Sequence, residues 1–367
     1  MKRQGHLYEK VYAYDNLLLA HQNASKGKGW YEEVKIVNKD VDSYLFDLQT
    51  KLIYQTYETS EYIKFCKQEG PKLREIYKLP YFPDRIAQWA LIQVIGPILE
   101  KHFIRDTFSA IPKRGIHDGL KRVHEAMLYD RENCMFCLKL DLRHYYLNIN
   151  HKILESQYAC LFKDEELLWF INEIIESINT ISFDDEWELA ELDLDFVEET
   201  GIPIGNYFSQ YSGNFYLSVF DHWIKEVLHV KHYYRYMDDI VIFARTKEEL
   251  HFILNASKEF LWENLRMRIK DSWQIFPSFV RGVDFLGYRI FDGYVLLRKS
   301  TALRMKRKLI AIYEKVSCGN LMSYSDYCCI NSYKGWTKYG DCFRLEGKYI
   351  RPLEKHAQIF HDTVLVA

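Results

Sequence analysis

The sequence predicts an α+β fold, an antiparallel sheet with its helices set apart from it. Three observations carry this expectation. The run "CMFCLKLDL" (134–142) has the apolar content and length of a buried strand. The stretch "HYYRYMDDIVIFAR" (232–245) sets two runs of strand composition around a short acidic centre, the layout of a hairpin. Taken together the order is strand, helix, helix, hairpin, which argues for segregated helices over a doubly wound parallel sheet.

The elements follow in order. Residues 1–68 mix Tyr, Lys and Leu at helical spacing around a loop at "SKGKGW". Next, "GPKLREIYKLPYFPDRIAQWALIQVIGPILEKHF" passes from a proline-marked extended piece into a long amphipathic helix, with Asp84 placed to cap it. A second helix covers "HDGLKRVHEAML". The buried strand then ends on Asp141, and "RHYYLNINHKILESQYACLF" is again helical. "GIPIGNYFSQYSGNFYLSVFDHWIKEVLHV" opens with turn residues, continues as one long helix and leads into the acidic hairpin. "FLGYRIFDGYVLLRK" reads as another hairpin, and from about Ser300 the chain is helical and basic at its start.

A hydrophobic content of 48% over 367 residues excludes whole-chain disorder and allows two or three compact units. No apolar run approaches the ~18 residues of a membrane span, and "MKRQGHLYEK" lacks the core of a signal peptide, so a soluble, cytoplasmic protein is expected. The eight cysteines are expected to be reduced and mostly packed; Cys134 and Cys137 have half the spacing of a zinc site, with no second half following. The net charge of −2 hides an asymmetry: residues 164–200 carry fourteen acids and no Lys or Arg, leaving the rest of the chain at +12. Such a remainder suits a polyanionic partner, with the acidic segment as a solvated insertion facing away from it.

Asp238 and Asp239 side by side are either a solvated turn or part of a cation site. Asp141 ends a separate strand about a hundred residues earlier. If that strand and the hairpin are neighbours in one sheet, three carboxylates converge at its end. That is enough oxygen for two Mg²⁺ ions, with Mn²⁺ a substitute, spaced roughly 3.5 to 4 Å apart as in phosphoryl transfer.

These residues stand in motifs that together resemble a known family. "LKLDLRHYYLNI", "GIPIGNYFSQ", "YMDD" and "FLGY" occur in the order of the palm motifs of reverse transcriptases. "REIYKLPYFPDRIAQWAL" and "IPKRGIHDGL" are similar to the first fingers motifs of group II intron and related bacterial enzymes. The resemblance covers about 300 residues and implies a right-hand polymerase: an N-terminal helical extension (1–68), fingers (69–133), palm with remaining fingers elements and the acidic insertion (134–297), and a helical thumb (298–367). It implies catalytic, metal-holding roles for Asp141, Asp238 and Asp239. Arg85 and Arg114, with Lys72 and Arg74 behind them, would meet the triphosphate of an incoming dNTP. Tyr146 would exclude a ribose 2′-hydroxyl. Gly287 and Tyr288 would form the primer grip, and Arg298, Lys299, Arg304, Lys306, Arg307 and Lys308 would track nucleic-acid phosphates. Lys270 aligns ambiguously with a proton donor to pyrophosphate.

One departure narrows the class. Where retroviral and group II intron enzymes read PQGxxxSP, this chain has Ile204 for the glutamine and Gln210 for the proline. That pattern resembles the reverse transcriptases of diversity-generating retroelements, which copy a template-repeat RNA into cDNA with errors at adenine and work with a small basic accessory protein. They lack RNase H and maturase domains, and none is expected after the thumb here. Ile204 is thereby implied in fidelity: an isoleucine beside the nascent pair offers shape where glutamine offers a hydrogen bond. The competing readings are another bacterial reverse transcriptase, of group II intron or phage-defence type, and a catalytically silent RNA-binding palm protein.

Overall fold

In the computed structural model the chain is described over residues 3–69, 72–178 and 199–365. Helices α1 (Tyr8–Tyr12), α2 (Tyr14–Ser25), α3 (Glu32–Val37) and α4 (Val41–Ile53) precede strands β1 (Ile63–Glu69) and β2 (Lys72–Lys78). Then come α5 (Ile86–His102), β3 (Thr107–Phe108), α6 (Ile116–Tyr129), β4 (Phe136–Asp141), α7 (His151–Leu161) and α8 (Glu165–Glu176). After the undescribed residues follow α9 (Tyr207–Tyr216), α10 (Ser218–Glu226), β5 (His232–Tyr236), β6 (Asp239–Ala244), α11 (Lys247–Leu265), β7 (Gln274–Pro277) and α12 (Ser278–Arg281). Strands β8 (Val283–Phe285), β9 (Tyr288–Ile290) and β10 (Val295–Leu297) lead to α13 (Lys299–Ser317), α14 (Tyr324–Thr337), α15 (Phe343–Tyr349) and α16 (Arg351–Phe360). The α+β class is as expected. No described helix is long and apolar enough to cross a membrane.

Two compact units divide the chain. The first comprises Met1–Ile111, Asp141–Val230 and Ile253–Ser272. Its centre is α5, apolar nearly all round: Ile86, Ala87, Ala90, Leu91, Ile95 and Leu99 are fully buried, the pattern of a helix enclosed by others. Fully burying each such Leu or Ile side chain contributes about 1.5–3 kcal/mol. Asp84 does not cap this helix. Its carboxylate is fully buried and accepts from Tyr57 Oη (2.8 Å) and the Ser60 N–H (3.1 Å), so it ties the segment after α4 to the start of α5. β1 and β2, expected to be helical and then extended, pair antiparallel with Ile63 opposite Lys78. The single long helix expected after "GIPIGN" is two, α9 and α10, divided at Leu217.

The second unit comprises Pro112–Leu140, Lys231–Phe252 and Trp273–Ala367. Its strands are hydrogen-bonded in the order β5-β6-β4-β7, so the strand that ends on Asp141 is the neighbour of β6, as expected of the hairpin. β8, β9 and β10 form a three-stranded antiparallel meander where a simple hairpin was expected. Helix α13 turns Met305, Leu309, Ile312 and Val316 inward, at the spacing of one helical face. Cys134 and Cys137 are buried thiols, and burial pushes Cys134 up to about 12. Four of the eight cysteines are exposed, more than expected of packed thiols, and all eight are free.

Candidate active site

The acidic hairpin differs by one residue from its expected register. Tyr236 pairs with Asp239, so the two-residue connection is Met237–Asp238, and Asp239 is the first residue of β6. Met237 takes the positive φ (+53°) that a tight hairpin turn requires. Asp238 therefore sits at the tip, and Asp239 is held by ladder hydrogen bonds. Beneath the turn, Arg235 is fully buried and donates from Nη1 to the Met237 carbonyl at 3.1 Å, fixing the turn from inside the sheet.

Lys139 joins β4 to this hairpin. Its ammonium lies 3.3 Å from Asp239 Oδ1 and also donates to the Asp284 carbonyl. Side chains two apart on a strand share a face, so Lys139 and Asp141 lie on one face of β4, opposite the buried Leu138 and Leu140. Asp141 is ion-paired as well: Lys270 Nζ stands 2.8 Å from its Oδ1, and the Lys270 N–H donates to its carbonyl at 2.9 Å. Lys270, ambiguous in the sequence, is thus the partner of Asp141. Among the described residues no three acidic, His or Cys side chains are gathered as a ready metal cluster; Asp141 and Asp239 each face an ammonium.

The other expected residues scatter over both units. Arg85 belongs to the first unit, immediately before α5, and Arg114 to the second, in the loop before α6. Lys72 and Arg74 lie on β2 opposite Glu69 and Lys67, and their side chains fall outside the described residues. Tyr146 is half-buried on a short 3₁₀ turn, where a Cβ on Gly213 of α9 would meet its ring at 3.2 Å. Ile204 is half-buried in the turn before α9, and Gln210 is exposed on that helix.

Gly287 forms the two-residue turn between β8 and β9 with Leu286, at φ +83°. Trp336 covers it: a Cβ on Gly287 would stand 2.7 Å from the indole. Tyr288 is fully buried, with its hydroxyl donating to the Trp336 carbonyl at 3.0 Å. Arg298 pairs with Asp284 at 3.7 Å, while Lys299, Arg304, Arg307 and Lys308 are exposed on the outer face of α13 and Lys306 lies over the Tyr349 ring. The acidic segment 164–200 is described only at its ends; residues 179–198 lie outside the described residues. At its start, Asp164 accepts from the N–H groups of His6 (2.7 Å), Leu7 and Tyr8. Burial alone would raise this carboxyl, but those three donors outweigh it and hold it below the usual range.

Sequence reasoning missed Lys139 and Arg235. A lone Lys two positions before the strand-ending Asp was the available signal for the first, and an Arg flanked by tyrosines in an apolar strand for the second.

An acidic turn on an antiparallel sheet, beside a strand that ends on a third Asp, defines a polymerase palm of α+β class. The chain belongs to the reverse transcriptase (RNA-dependent DNA polymerase) family, whose profile matches residues 67–290. It is also similar to Protein YkfC of Escherichia coli (strain K12), 22% identical over 260 residues, covering 62% of this chain and 65% of that protein. The match thus spans slightly less than two thirds of the relative's length.

Proposed function

We propose that this chain is the reverse transcriptase of a diversity-generating retroelement, copying a template-repeat RNA into adenine-mutagenised cDNA by two-metal-ion nucleotidyl transfer. The single observation that supports the polymerase chemistry best is the Lys139–Asp239 pair at 3.3 Å, with Asp141 two residues beyond Lys139 on the same strand. The donor set fits Mg²⁺ or Mn²⁺: hard, partly exposed carboxylate oxygens of Asp141, Asp238 and Asp239, two of them facing ammonium groups that a cation of higher charge can displace. Bound there, two such ions would supply the charge that activates the primer hydroxyl and steadies the departing pyrophosphate.

The chain's own residues orient the reactants. Arg85 and Arg114, with Lys72 and Arg74, offset triphosphate charge. Tyr146 closes the space a ribose 2′-hydroxyl would need. Gly287 and Tyr288 shape the primer side, and the outer face of α13 with Arg298 follows the phosphates of the duplex. A small basic accessory protein is the expected partner, met by the acidic segment.

Primer extension with Mg²⁺, RNA template and dNTPs tests the chemistry: wild type incorporates, and the Asp238→Ala, Asp239→Ala double variant falls by at least about a thousandfold. Absence of incorporation by wild type with its RNA and accessory protein would overturn the reading. The subtype rests on Ile204 and Gln210. Changing Ile204→Gln is expected to lower cDNA errors at template adenines by about five- to tenfold, one polar contact's worth of discrimination; an unchanged error spectrum removes Ile204 from fidelity.

A further inference from the structure

The first unit holds a cavity of about 90 Å³ whose lining includes Phe65, Ile76, Lys78, Arg85, Gln88 and Asn206. Three of these present buried N–H donors with no acceptor among the described residues: Arg85 Nε, Gln88 Nε2 and Asn206 Nδ2. Gln88, on the first turn of α5, is only 2% exposed, and Asn206, preceding α9, only 9%. Asn206 stands at the N-cap of α9 without capping it, so its amide is not spent on the helix. A fold that buries one donor without a partner loses stability, and one that gathers three in a single cavity is shaped for a group of acceptors.

The charge around the cavity has the same sense. Lys78 and Arg85 line it, and the Lys28 ammonium is pushed down by burial and by the nearby Arg85 charge, the mark of a positive region. One acid, Glu33, answers it: it accepts from Lys78 Nζ (2.6 Å) and the Tyr81 N–H (2.8 Å) and feels the Arg85 charge, while Arg85 Nε, Gln88 Nε2 and Asn206 Nδ2 have no acceptor among the described residues. Guanidinium and amide N–H groups with no hydrogen-bond acceptor among the described residues select an anionic oxygen, and a volume of about 90 Å³ suits a phosphate group and not a whole nucleotide.

We propose that Gln88 and Asn206 are specificity-determining residues that, with Arg85, take the oxygens of a substrate phosphate, from a nucleic-acid strand or from a nucleoside triphosphate. The ligand's identity rests on the polymerase reading; the site itself does not.

The test is therefore binding, with no turnover required. Wild type, Gln88→Met and Asn206→Leu are compared for affinity to a short RNA and to inorganic tripolyphosphate, and each variant's melting temperature is recorded. Each substitution keeps side-chain volume and removes an amide donor that has no hydrogen-bond partner among the described residues. The expected result is a five- to tenfold weaker Kd for one probe per variant, at an unchanged or raised Tm. Weakening for RNA alone assigns a strand phosphate, and weakening for tripolyphosphate alone assigns the nucleotide. Unchanged affinity for both probes overturns the proposal, whether Tm stays or falls; a fall would mark the amides as structural. If one variant fails to fold, the other carries the test. Primer extension by wild type reports separately on the polymerase reading.

Discussion

Two hairpins of the second unit are built on the same backbone device and serve opposite ends. Between β5 and β6 the connection is Met237–Asp238; between β8 and β9 it is Leu286–Gly287. Both use residues at positive φ to turn in two residues. The difference lies in what covers the turn. Trp336 lies over Gly287, and Tyr288 beside it is fully buried, so that turn is packed core. The acidic turn is held from below by Arg235 and leaves Asp238 and Asp239 half-buried, charge-bearing and accessible. The comparison teaches that a tight turn becomes a site when its support comes from inside the sheet.

Gly287 is the position where the two turns part most sharply. Gly287→Ala puts a Cβ into the Trp336 ring and an L-residue at φ +83°, and is expected to cost about 2–4 kcal/mol from the two effects together. Chemical denaturation measures that loss. Arg235→Met sharpens the other side. It removes the donor to the Met237 carbonyl, expected to cost about 1–3 kcal/mol, and here polymerase activity per folded molecule should fall as well. Full activity in a folded Arg235→Met protein would show that the turn needs no internal support. The smallest effect is Tyr288→Phe, which loses the hydrogen bond to the Trp336 carbonyl: about 1 kcal/mol in denaturation.

How much of this was legible in the sequence depended on the range of the contacts involved. Strand β4 and its end at Asp141 were legible because burial writes an apolar run that stops at a charge. The exposed face of α13 was legible from its periodic basic residues. The hairpin was legible but its register was not: two adjacent acids are equally good turn residues, and only the pairing of Tyr236 with Asp239 chooses between them. Asp84 read as a helix cap because its partner, Tyr57, lies 27 residues away. Asp164 read as one solvated acid among fourteen because the N–H groups it binds are more than 150 residues distant. β1 was missed because its apolar residues Ile63 and Phe65 are exposed, so no core stripe marks it. Lys139 and Asp239 are 100 residues apart, and no local pattern joins them.

The two lysines have a consequence for how the protein lives without its substrates. Asp141 and Asp239 each come with an ammonium counter-ion from their own unit, Lys270 and Lys139. On the metal reading proposed above, folding would not have to wait for an ion, unlike domains whose structure depends on one. Cation loading would, on the same reading, be an exchange reaction: the incoming ion would evict a tethered competitor that stays within reach to return.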